Sequence, residues 1–192
     1  MAYSILLAHP AAHEKVKPVS IHHAALPAFA AAMVLVILYS NILVQTPLND
    51  WLTWGAITYP FSFLITDLAN RYYGLRFARR VVYAGFVIAL VLSAYYATPR
   101  IALASGTAFL VAELVDVHIF DRLRRRTWWQ PPLVSTLVGS AVDTAVFFTL
   151  AFYGTGMPWV TLGLGDFGVK VALAVMTLLP FRAALALFRP AA

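Results

Sequence analysis

AELVDVHIFDRLRRR, residues 112–126, joins two chemistries that seldom share one helix. Its first half closes an apolar run that starts at Ile101, so Glu113 and Asp116 fall where a bilayer-spanning helix would carry them into hydrocarbon. A carboxylate at the centre of such a helix costs about 2.5 to 3.5 kcal/mol on the most lenient insertion scale, and therefore faces a protein interior or a water-filled cavity. The two acids are three residues apart and share one helix face. From Asp121 to Arg126 the segment turns basic, which marks the end of a span at a membrane surface.

Outward from this stretch the same pattern recurs. The 192 residues are 61% hydrophobic and 11% charged, with a mean hydropathy of +0.79, more apolar surface than a soluble domain of this length can cover. Apolar stretches long enough to cross about 30 Å repeat along the chain, and strand-like alternation is absent. The expectation is an all-α integral membrane protein, a six-helix transmembrane bundle over residues 28–189 that follows an N-terminal cytoplasmic tail, 1–27. The spans are expected at 28–44, 55–72, 81–97, from 101 into the opening stretch, 133–153, and from 166 to before Arg189. Pro60 is expected to kink the second span. Asp67 in the second span and Asp143 in the fifth would suit two three-helix halves in an inverted repeat, although the halves show no convincing identity.

The net charge of +6 and pI near 9.8 do not imply nucleic acid, because the basic residues are dispersed between spans. Twelve of the fourteen Lys and Arg fall on one side of a six-span arrangement, which expects both termini in the cytoplasm; Arg100 and Lys170 are the exceptions. There is no cysteine, hence no disulfide, thiol nucleophile or thiolate ligand. The tail lacks a basic flank before its short apolar piece and does not read as a cleaved signal. His9, His13, His22 and His23 have no metal-site spacing and read as a solvated tail. Trp128 and Trp129 suit an interfacial belt. No pairing of nucleophile and base, no phosphate-binding loop and no metal motif is present, so the chain is not expected to be an enzyme and no cofactor or metal is implied.

Polar residues inside the spans carry the functional reading. Asn41 and Gln45 lie four apart near the exit of the first span; Ser62, Thr66 and Asn70 form a stripe on the second, with Asp67 beside it; Thr136, Ser140 and Thr144 form one on the fifth, with Asp143 adjacent. Lys170 in the last span is a candidate partner for the acids. Facing lipid, Asp67, Glu113, Asp116 and Asp143 would together cost about 10 to 14 kcal/mol. Interhelical hydrogen bonds, worth about 0.6 to 2 kcal/mol each, are too small a return to explain four such residues as glue alone. Asp143 is expected to be held by Ser140 and Thr144. His118 points to another face of its helix and reads as an interfacial hydrogen-bonding group.

Several blocks occur in an order that resembles the queuosine-precursor transporter family of bacterial inner-membrane proteins: SNILVQ (40–45), TWGAITYPFSFLITDL (53–68), ARRVV (78–82), LVDVHIFDRLR (114–124) and STLVGSAVDTAVFFTLAF (135–152), with Lys170 beyond them. The resemblance implies import of 7-cyano-7-deazaguanine and 7-aminomethyl-7-deazaguanine for salvage in tRNA modification, and at Glu113 the family also accepts Gln. It implies a small-molecule substrate and contact with membrane lipids, with no nucleic-acid partner and with self-association left open. A 7-deazaguanine presents two parallel donors, to which a carboxylate is matched, and a carbonyl oxygen that wants a donor. The binding residues expected from the two readings together are Asn41, Gln45, Phe61, Thr66, Asp67, Asn70, Glu113, Asp116, Asp143, Thr144 and Lys170, with Tyr59, Phe61 or Phe147 to stack on the ring. A secondary transporter is the first expectation; the alternative is a substrate-binding membrane subunit that works with a separate ATPase.

Overall fold

The computed structural model describes residues 20–43, 47–49, 52–96 and 98–187. Its helices are α1 (Ser20–Leu43), α2 (Trp54–Thr58), α3 (Phe61–Tyr73), α4 (Leu75–Tyr96), α5 (Pro99–Leu123), α6 (Gln130–Phe152), α7 (Trp159–Met176) and α8 (Leu178–Leu187). A two-stranded antiparallel hairpin, β1 (Pro47–Asn49) with β2 (Leu52–Thr53), turns the chain between α1 and α2. Among the described residues three stretches are long and apolar enough to cross a membrane, Pro99–Leu123, Gln130–Phe152 and Trp159–Leu187, and α1 adds a shorter apolar piece, Ala25–Ser40.

Prolines and one glycine set the breaks. α2 and α3 are separated at Tyr59 and Pro60, where the kink was expected, and Pro60 opens α3 with φ −60°. Pro180 lacks the N–H that would bond to the carbonyl of Met176, and the chain interrupts at Thr177 between α7 and α8. Pro99 instead sits in the first turn of α5, where its missing N–H is harmless, and the Thr98 hydroxyl accepts from the Ile101 N–H at 3.4 Å. Gly74, at φ +87°, reverses the chain between α3 and α4 in a backbone region that side-chain-bearing residues rarely adopt.

Element boundaries differ from the sequence expectation in three places. α1 starts at Ser20, ahead of the expected residue 28, and runs through Pro27, whose missing N–H interrupts the helical ladder there. α4 starts at Leu75 and carries Arg76, Arg79 and Arg80 in its first turns. α7 starts at Trp159, so the connection from α6 is shorter than the interval between the expected spans and the last helix enters well before residue 166.

The surface of the bundle is rich in apolar side chains, and its interior holds polar side chains among apolar ones. Val91, Tyr95, Leu103, Leu164, Leu179 and Leu187 are among its exposed side chains, whereas Ser62, Asn70, Glu113, Asp116, Ser135 and Ser140 are fully buried. Apolar side chains facing out and polar ones kept inside are what a lipid solvent selects. One apolar cluster, including Met33, Ile37, Phe77, Val81, Val82, Phe109 and Val117, ties α1, α3, α4 and α5 together. α5 and α6 form the most extensive helix pair, and Gly139 makes their approach possible: a Cβ there would lie 2.9 Å from the Phe63 ring, 3.2 Å from Asp116 Cβ and 3.3 Å from Ala112 O.

The basic residues gather at one end. Arg71 donates to Arg124 O and Arg124 to Arg71 O, each at 2.7 Å, so the last turns of α3 and α5 clasp each other. Tyr72 donates to Ala184 O at 2.8 Å, and Arg182 stacks on Trp128 at 4.8 Å, which draws α8 and the start of α6 to the same end. At the opposite end Arg100 donates to Leu150 O at 2.9 Å and Tyr153 O at 2.6 Å, capping the carbonyls of α6.

Candidate functional site

Every span acid named from the sequence is buried: Asp67, Glu113, Asp116 and Asp143 are at most 6% exposed, and Lys170 is 5% exposed. They form two neighbouring centres. In the first, Lys170 Nζ donates to Asp143 Oδ2 at 2.7 Å, to Asp166 Oδ2 one turn earlier on α7, and to Thr144 Oγ1 at 3.2 Å. All three ammonium hydrogens have acceptors. Thr144 passes its own hydrogen to Asp166 at 2.7 Å. Tyr59, set free at the break before α3, donates to Asp143 Oδ1 at 3.3 Å, and its ring lies 5.9 Å from the Lys170 ammonium and edge-on to Phe109 at 6.3 Å.

The sequence expectation for Asp143 is corrected here. Its partners are Lys170 and Tyr59, while Thr144 serves Asp166 and the Ser140 hydroxyl meets no partner. An ammonium outcompetes a neutral hydroxyl for a buried carboxylate because the bond is charge-assisted. Asp166 was read only as the start of a span; its i,i+4 spacing to Lys170 was the signal that could have identified it.

The second centre lies between α3, α5 and α6. Asp67 accepts from Ser135 at 3.2 Å and from Thr136 at 3.3 Å, both in the second turn of α6. Thr66 donates to Glu113 Oε2 at 2.9 Å, and Asn70 donates to Val117 O at 2.7 Å, so α3 is stitched to α5 by polar bonds. Glu113 Oε1 and both oxygens of Asp116 meet no donor at hydrogen-bonding distance. Glu113 faces both centres, being an electrostatic neighbour of Asp143 and Tyr59 as well as of Asp67 and Asp116.

Other expected site residues are placed elsewhere. Phe61 is 38% exposed and turned away from both centres' buried interior, and Phe147 packs edge-on against Phe148 and Phe152 along α6. His118 is exposed and its Nδ1 lies 2.6 Å from Leu114 O, one turn back on its own helix. Asn41 lies on α1 with its side chain outside the described set, and Gln45 lies outside the described residues, as do His9 and His13. A cavity of about 240 Å³ between α6 and α7, lined by Ala141, Thr144, Ala145, Phe148, Trp159, Val160, Gly163, Leu164 and Phe167, reaches the Lys170 centre at Thr144.

Chemically, the Lys170 centre sets a cationic donor beside a carboxylate acceptor, under an aromatic ring, inside an apolar bundle. Comparison with known proteins agrees with a carrier of small molecules. The family model described as "Putative vitamin uptake transporter" matches residues 53–98 and 92–185. The queuosine precursor transporter of Escherichia coli (strain K12) is 37% identical, over 76% of this chain and 79% of that protein. Proteins named "Probable queuosine precursor transporter" from Haemophilus influenzae and Bacillus subtilis are 32% and 27% identical, over 77% and 66% of this chain and 80% and 68% of theirs. No solved structure matches the chain. These relatives are transporters rather than enzymes, and the chain, a multi-pass membrane protein with its charges turned inward, belongs to the queuosine precursor transporter family.

Proposed function

We propose that this chain imports the 7-deazaguanine precursors of queuosine, 7-cyano-7-deazaguanine and 7-aminomethyl-7-deazaguanine, across the bacterial inner membrane as a secondary transporter. The six helical passes would each cross the bilayer, with both termini and the clasped basic end in the cytoplasm. The observation that carries the proposal is the buried Lys170–Asp143 contact at 2.7 Å, with Tyr59 on the other carboxylate oxygen.

That contact is a donor next to an acceptor, and the guanine edge is its complement: a carbonyl oxygen beside two N–H donors. A substrate entering between the two side chains would give its carbonyl oxygen to Lys170 and its paired N–H groups to Asp143. Each partner would exchange one charge-assisted bond for another, so neither is left buried and alone. Asp166 would keep Lys170 charged and aimed while Asp143 turns to the substrate. Glu113, whose carboxyl group is an electrostatic neighbour of Asp143, would be a further acceptor for the exocyclic amine. The test is rescue of tRNA queuosine in cells unable to make the precursor, with this chain as the only importer. Rescue without ATPase genes, abolished by Asp143→Asn at equal membrane abundance, is expected. Rescue that depends on an ATPase partner would identify a binding subunit instead.

A further inference from the structure

Lys170 serves Asp143 and Asp166, and among the described residues no cation pairs with the second centre. Asp67, Glu113 and Asp116 are 2%, 0% and 0% exposed and form no ion pair among the described residues. Ser135 and Thr136, whose hydroxyls hold Asp67, stand one turn before Gly139, and the Gly139 backbone packs against Asp116 Cβ. Asp67 and Asp116 therefore meet over the same part of α6, and each acts electrostatically on the other. The hydroxyl hydrogen of Ser135, the other polar group beside Asp116, is directed to Asp67 and Pro132 O. Both oxygens of Asp116 are left without a donor among the described residues.

Buried polar atoms in folded proteins nearly always have partners, and two carboxylates side by side in a low dielectric cannot both stay charged without a counter-charge. One proton held between them answers both problems. The neutral carboxyl supplies the missing O–H donor, and the other carboxylate accepts it. A metal ion would need several converging ligands, and among the described residues no three of His, Asp and Glu are placed to hold one; a proton needs one oxygen.

We propose that the Asp67–Asp116 pair carries the coupling proton of the transport cycle, separate from the Lys170 centre that takes the substrate. The inference rests on the transporter reading above. The groups facing the pair are Glu113 from α5 and Ser135 and Thr136 from α6, with Thr66 of α3 bonded to Glu113 beside it; His118 lies outside on the exposed face. Asp67 rides on α3, whose preceding break at Tyr59 and Pro60 touches Asp143. Substrate exchange at Asp143 thus moves the same helix that holds one half of the pair against the other half on α5, which is how occupancy of one centre would set proton affinity at the other.

The experiment uses the purified full chain in liposomes with labelled 7-cyano-7-deazaguanine. Two readouts are taken: accumulation driven by an inward proton gradient, and exchange of internal for external label without a gradient. One proton per substrate and a gradient of one pH unit should support about tenfold accumulation. Asp116→Asn, and Asp67→Asn as a second variant, should lose accumulation and keep exchange, which also reports that each variant is folded. Accumulation by both variants, or wild-type exchange with accumulation driven only by sodium, would overturn the proton assignment alone. Wild-type protein without any exchange would overturn the transporter reading and this inference with it.

Discussion

Replacing Lys170 by Met removes the buried cation that Asp143 and Asp166 share while nearly preserving side-chain length and apolar volume. In the folded protein Lys170 Nζ is 2.7 Å from Asp143 Oδ2 and also reaches Asp166 and Thr144. At an effective dielectric of about 20, one such pair at this separation is worth roughly 6 kcal/mol of attraction before desolvation is subtracted. Removing one partner of a buried pair costs about 3 to 5 kcal/mol, because the remaining charge stays in a poor solvent. After Lys170→Met, Asp143 retains only the Tyr59 hydroxyl at 3.3 Å and Asp166 only Thr144. Thermal unfolding in detergent should therefore show a loss near the upper end of single-substitution effects. Adding Asp143→Asn to Lys170→Met should recover at least about 1 kcal/mol, since the orphaned charge is gone and the two sites are in direct contact. Lys170→Met protein that melts with the wild type, or a double variant less stable than the sum of the singles, would refute the assignment of Lys170 to a neutralising role.

Asp166→Asn should be milder than Asp143→Asn in the same assay, because the Asp166 side chain is 19% exposed against 8% for Asp143 and water can compensate part of the loss. Gly139→Ala should destabilise by about 1 to 3 kcal/mol, its new methyl group forced against Phe63 and Ala112 O where α5 and α6 touch; unchanged melting would show that the helices can separate freely there. Gly74→Ala places a side chain at φ +87° and 3.3 Å from Arg124 Nη1, and should cost about 1 to 3 kcal/mol by unfolding in detergent. Single cysteines at Arg76 and Arg125 should be shielded from an impermeant thiol reagent in intact cells, while cysteines at Asn49 and Gly156 should be labelled; the reverse pattern would invert the proposed orientation.

Much of the site was legible because hydrocarbon makes intramembrane charge so costly that its presence alone dictates an inward direction. Asp67, Glu113, Asp116, Asp143 and Lys170 are all buried for that reason. Pro60 was legible as a break because its missing N–H acts locally. Partner choice was not legible in the same way. Lys170 was a candidate partner for the acids as a group, but which acid it serves, and that it takes the place of the Ser140 and Thr144 hydroxyls at Asp143, depends on how the helices rotate against each other. The outward placement of Phe61 has a related cause: it is the first residue after the α2–α3 break, so its direction follows the restart of the helix and not the phase of the residues before it. The two basic residues that departed from the positive-inside pattern both have structural duties, Arg100 on the carbonyls ending α6 and Lys170 between two carboxylates.

The most direct test of the central claim is saturable uptake of labelled 7-cyano-7-deazaguanine into liposomes containing only the purified chain, compared with Asp143→Asn protein at equal incorporation. The account expects uptake by the wild type that unlabelled precursor competes away, and a loss of about a hundredfold in affinity for the Asn variant, the equivalent of about 3 kcal/mol for a charge-assisted bond replaced by a donor facing a donor. Uptake by the Asn variant at the wild-type level would remove Asp143 from the substrate site, and wild-type uptake no greater than that of protein-free liposomes would contradict autonomous transport.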